Sequence, residues 1–84
     1  MTKIYIARTA SAFEDAYKAF ATKEEAIRQA NMFLAHLTDS EKKTNTVSVE
    51  SYAIEGYEGT PEEIFRDALI DDEVGDPETY EVIG

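Results

Sequence analysis

Two short segments, Thr22-Lys23-Glu24-Glu25 and Thr60-Pro61-Glu62-Glu63, constrain the layout of this chain more than any other feature. Each has the form of a capping box. The Thr hydroxyl accepts from an orphan N–H of the first helical turn, and the Glu three residues later reaches back to the cap. The second box adds Pro at the first helical position, where its missing N–H costs nothing. A helix therefore begins at each box, and the rest of the chain is left to strands and turns.

Behind the first box, Ala26, Ile27, Ala30, Phe33, Leu34 and Leu37 recur at helical spacing and predict a helix from about Lys23 to Leu37. Behind the second, Ile64, Phe65, Ala68 and Leu69 form a buried stripe. Continuing that helix would carry Asp72 into the stripe, so it ends near Ile70 or Asp71. Lys3–Arg8 alternates around Ile4 and Ile6 and reads as a strand. Asp15–Ala21 reads as a shorter one, paired with the first as a hairpin across Thr9–Glu14. Thr38–Thr46 is polar and reads as a loop. Thr46–Glu55 is rich in β-formers, but its apolar parity changes between Val49 and Tyr52. Either a β-bulge lies there or both faces of the strand are covered. Gly75 and Pro77 mark a turn before a last strand, Thr79–Ile83, with Tyr80 and Val82 on one face. The expectation is a single α+β domain over residues 1–84. It has a small, mostly antiparallel sheet with two helices, in the order β-β-α-β-α-β.

Charge is unevenly spread. Residues 1–49 carry a net +1, whereas residues 50–84 hold twelve acids against one base, Arg66. The net charge of −10 is thus a property of the C-terminal part. Such a field repels nucleic acid and anionic membranes and draws in cationic partners. No basic patch is present to neutralise phosphates, which argues against direct nucleic-acid binding. With 43% hydrophobic residues the chain can build a core despite its charge. It has no Cys, so disulfides and thiolate metal sites are excluded. No targeting segment is visible, and no apolar run reaches the ~20 residues that span a bilayer. The expected location is the cytoplasm.

The sequence offers little for catalysis. Its single His, His36, falls on the flank of the first helix toward solvent, with no nucleophile placed beside it. Against the EF-hand pattern, setting Gly75 at the sixth position leaves Ile70 at the first, which cannot ligate, so the motif is absent. No glycine-rich phosphate loop exists, and no cofactor or metal is expected. The chain reads as a protein without enzymatic activity.

What remains is a binding surface. Glu63, Asp67 and Asp71 lie four apart on the second helix, away from its apolar stripe. The rise of about 6 Å per step is of the order of the gap between successive phosphates. Glu62 precedes this column, and the run Asp71, Asp72, Glu73, Asp76 and Glu78 follows it, denser than solubility requires. Met32, pointing away from the first helix's stripe, and Tyr57, in a turn, are candidate interface anchors.

Lys3-Ile4-Tyr5-Ile6, then Ala19-Phe20-Ala21-Thr22-Lys23-Glu24-Glu25-Ala26, then Val49-Glu50-Ser51-Tyr52-Ala53-Ile54, resemble a widespread type of small phage and bacterial protein. In these a strand hairpin leads into a helix start of this form and then a strand. The resemblance covers residues 3–55, implies a β-β-α-β arrangement and carries no functional residues. In size, acidity and lack of catalytic groups the chain is also similar to phage-encoded inhibitors of host defence, such as anti-CRISPR proteins, several of which imitate nucleic acid. The implied function is an inhibitor whose acidic surface blocks a nucleic-acid-binding site on a basic host protein. The alternative is a small adaptor, or a self-associating module, that binds by apolar contacts at Met32 or an open sheet edge. Oligomeric state is not set by the sequence.

Overall fold

The computed structural model describes residues 2–11 and 15–83. Strand β1 (Thr2–Ala10) runs antiparallel to β2 (Asp15–Phe20) on one side and to β3 (Thr46–Ile54) on the other. Strand β4 (Thr79–Val82) pairs antiparallel with the far side of β3, so the sheet order is β2-β1-β3-β4. Helix α1 (Lys23–His36) follows β2, and α3 (Pro61–Ile70) follows β3. A four-residue helix, α2 (Asp39–Lys42), lies where a plain loop was expected. Its cause is a third Thr-x-x-Glu box: Thr38 and Glu41 cap each other reciprocally, 3.0 and 3.2 Å apart. No helix among the described residues is long and apolar enough to cross a membrane.

The parity change in β3 has a simple origin. Its register with β1 runs unbroken from Thr2↔Ile54 to Ala10↔Thr46, so there is no bulge. Instead the helices take opposite faces of the sheet. Ala26 and Ala30 of α1 pack with Ala7, Val47 and Val49, flanked by Tyr5, Phe20, Phe33, Leu34 and Leu37. Ile64, Phe65 and Ala68 of α3 pack with Ile4, Ile6, Ala19, Tyr52 and Ile54. Odd-numbered residues of β1 and β3 face α1, and even-numbered ones face α3. Both central strands are thus buried on both faces, and their residues need not alternate apolar with polar.

Two local expectations are corrected. The first box closes only halfway. Thr22 Oγ1 accepts from Glu25 N–H at 3.3 Å, but the Glu25 carboxylate accepts from the Thr22 hydroxyl at 2.9 Å and not from the cap N–H. Leu69 is 45% exposed and outside the buried stripe of α3. At 100° per residue it lies about a quarter-turn from the centre of Ile64, Phe65 and Ala68.

Phe65 is the keystone of the α3 layer. It is 1% exposed and packs edge-on against Tyr17 (centroids 5.2 Å) and tilted against Tyr52 (5.3 Å), tying β2 and β3 across β1. Replacing Phe65 by Ala should cost about 3–5 kcal/mol, a large share of the stability of a domain this small. Urea unfolding followed by circular dichroism checks this. A loss under about 1 kcal/mol would show that α3 does not depend on that ring.

Candidate functional site: an acidic recess around Tyr57

The connection from β3 to α3 gathers the acids. Gly56, at φ +86°, turns the chain out of β3 in a conformation that L side chains rarely adopt. Tyr57 then folds back so that its ring packs against the α3-side core, and its hydroxyl donates to Asp71 Oδ2 at 2.9 Å. Burial, then the bond to Asp71, then the charges of Asp71, Glu73 and Asp67 push the phenol above its ordinary range. Tyr57 therefore stays a proton donor, fixed against the end of α3. Around it lies an open recess of about 440 Å³ lined by Glu55, Gly56, Tyr57, Asp71 and Glu73. It adjoins a hollow of about 700 Å³ reaching Thr2, Ile54 and Glu58.

The C-terminal end of α3 sits at this recess. It closes as a Schellman motif. Asp72 N–H donates to Leu69 O at 3.2 Å and Glu73 N–H to Ala68 O at 2.8 Å. The left-handed position of this motif, usually Gly, is filled by Asp72 at φ +57°. Asp71, Asp72 and Glu73 thus cluster at the negative end of the helix dipole, and no base lies in the last turn. Among the described residues, no Lys or Arg lies within 4 Å of Glu55, Glu58, Asp71, Asp72, Glu73 or Asp76. The backbone bonds close the helix end, but the charges gathered there oppose it.

The other candidate residues divide. Glu62 and Glu63 lie in the first turn of α3, where negative charge is favoured. Glu63 is engaged in its cap: its Oε1 accepts from Thr60 N–H, and its own N–H donates to Thr60 Oγ1, both at 3.2 Å. Those bonds hold its carboxyl below the usual range. Asp67 accepts from its neighbour Arg66 at 3.4 Å, and Glu78 faces Lys3 at 3.8 Å. Asp76 is exposed, and its charge reaches the Tyr52 hydroxyl. Met32, 49% exposed on α1, belongs to the opposite face of the sheet and is not brought together with Tyr57. His36 ends α1 and is exposed. No group of three or more metal-ligating side chains forms among the described residues.

Glu55 of the recess and Glu58 of the adjoining hollow have no periodic signal in the sequence. Their only mark is adjacency to the turn at Gly56 and Tyr57. A third acid, Glu50, is buried on the α3 face of β3, where it accepts from the Tyr52 hydroxyl and lies 3.6 Å from Arg8 Nε. Burial, then the bond to Glu50, drives the Tyr52 hydroxyl far above its ordinary range, so it stays protonated as a donor. Comparison with protein families, characterised proteins and solved structures finds no match.

Asp72→Gly should stabilise the fold by about 1 kcal/mol, since it removes both a left-handed L residue and a charge at the wrong helix end. Urea unfolding measures it, and a loss of stability would mean that Asp72 makes a compensating interaction. The Glu63 carboxyl, followed by carbon NMR, should titrate below the ordinary value of 4.5 and move back toward it in Thr60→Ala. Because the folded value is the lower one, the cap's contribution is complete above pH 4.5. It is lost as pH falls through the folded value.

Proposed function

We propose that this protein is a non-enzymatic inhibitor that seats the acidic end of α3 in a cationic, nucleic-acid-binding surface of another protein. The observation that carries the reading is the unneutralised cluster of Asp71, Asp72 and Glu73 at the negative end of a helix dipole, with Glu55 across the same recess and Glu58 in the adjoining hollow. Like charges packed there oppose folding. A cationic partner would relieve that repulsion on binding, so the same arrangement that weakens the free protein favours the complex. Tyr57 supplies what a string of carboxylates lacks: an aromatic face beside the charge, suited to an Arg guanidinium. On this reading, which is in keeping with the similarity in type to phage anti-defence inhibitors, the target is a basic nucleic-acid-handling protein of the host cytoplasm.

Binding of this kind is screened by salt. The test is a pull-down from a bacterial lysate, washed at low and at high salt and challenged with duplex DNA as a competing polyanion. The captured protein is then titrated with variants. The expected result is a nucleic-acid-binding protein that is released by salt and by DNA. The triple reversal Asp71→Lys, Asp72→Lys, Glu73→Lys should bind it at least about a hundredfold more weakly, with Met32→Ala unchanged. A partner that survives high salt, ignores DNA and tolerates the triple reversal would overturn the reading.

A further inference from the structure

Two edges of the sheet are unpaired among the described residues: the outer side of β2 and the outer side of β4. We propose that they pair with each other between copies, β4 of one molecule against β2 of the next, so that the sheet continues from protomer to protomer.

The argument begins with strand direction. Every neighbouring pair in the order β2-β1-β3-β4 is antiparallel. A copy placed beside β4 in the same orientation therefore presents its β2 antiparallel to β4, and the alternation continues without a break. Backbone geometry agrees. Ile83 N–H donates to Val47 O, and the pairing Val49↔Glu81 keeps the same parity. Backbone groups alternate sides along a strand, so Tyr80 and Val82 point theirs outward. The same alternation carried through β3 and β1 leaves Tyr17 and Ala19 pointing outward on β2. All four side chains stand on the α3 face.

Among the registers that respect this parity, one fits chemically. It sets Val82 opposite Tyr17 and Tyr80 opposite Ala19 of the next copy, giving about four backbone hydrogen bonds. On the α1 face it sets Glu81, which lies 3.4 Å from Lys23 Nζ of its own chain, opposite Lys18, so that the carboxylate would stand between two bases. Shifting by two residues either way places Lys18 against Thr79 or Ile83 and loses that charge pair. Tyr17, Tyr80 and Val82 are 40%, 57% and 55% exposed, a high value for residues of their size in strands. α3 shields the β2 side through Phe65 and Tyr17. Val82 and Tyr80, beyond that helix's own cover, would lie beside the α3 of the neighbour. The charges also discriminate. Lys18 in an edge strand opposes β2 pairing with another β2, and Glu81 opposes β4 with β4, as edge charges generally do. Neither opposes β2 with β4. The contact is heterologous and therefore extends instead of closing on two copies, unless strand twist brings it round into a ring.

The net charge of −10 opposes any self-association, so the experiment is run at moderate salt, where that repulsion is screened. Sedimentation velocity over a wide concentration range should show species larger than dimers growing with concentration. Lys18→Glu should weaken association on the order of tenfold, and the double variant Lys18→Glu, Glu81→Lys should restore it. Circular dichroism of each variant confirms that it is folded. A monomer at all concentrations, a dimer that does not extend, or association indifferent to Lys18→Glu would overturn the proposal. Lys18 and Glu81 lie outside the recess around Tyr57, so the outcome is separate from that of the inhibitor reading.

Discussion

The fold depends on one strand being buried on both faces. β3 offers Val47 and Val49 to α1 and Tyr52 and Ile54 to α3, while its two edges bond β1 and β4. Each helix therefore closes over a surface centred on β3 and β1, to which β2 adds Tyr17 and Ala19 on the α3 side and Phe20 on the α1 side. Neither helix touches the other's core. A substitution on one face of β3 weakens one layer, whereas a register slip by one residue would exchange the two faces and empty both.

The α3 layer contains a costly element, a buried carboxylate. Glu50 is withdrawn from water beside Arg8, with Tyr52 donating to it. Arg8 also faces Asp15 at 3.9 Å, which links β1 to both neighbouring strands through charge. Such a buried pair adds little net stability over an apolar replacement, yet losing one partner leaves the other stranded. Arg8 and Glu50 both stand on the α3 face, a diagonal pair in the register Ile6↔Glu50, so a slip of one residue would part them.

Much of this was legible in the residues. The helix starts at Thr22 and Thr60 follow from side-chain chemistry within four positions, and both helices end within a residue of where their stripes predict. The α2 turn escaped because its box, Thr38 to Glu41, has no apolar stripe behind it. The faces of β3 stayed ambiguous, since a parity change looks alike whether a bulge or a second helix causes it. Leu69 was misjudged because a three-residue arc is enough to cover a sheet this narrow. In the candidate site, the run from Asp71 to Glu73 was visible as a charge block. Glu55 and Glu58 join it only through the Gly56 turn and the Tyr57–Asp71 bond, contacts that no local pattern announces. Glu63 was read both as the cap partner of Thr60 and as part of a carboxylate column, and its Oε1 is engaged in the cap.

The β1–β3 ladder has a consequence for how quickly the native state is reached. Thr2 meets Ile54 and Ala10 meets Thr46, so the longest ladder joins segments far apart in sequence. Loop closure over such distances slows folding relative to helical domains of similar size. The β1–β2 hairpin and α1 are local and can form early, but they have no complete surface to pack on until β3 arrives. On a ribosome, which releases the chain N-terminus first, all three long strands emerge before the acidic block. The repelling charges are then added to a sheet already able to close, so their mutual repulsion falls on the last stage of assembly and not on its nucleus.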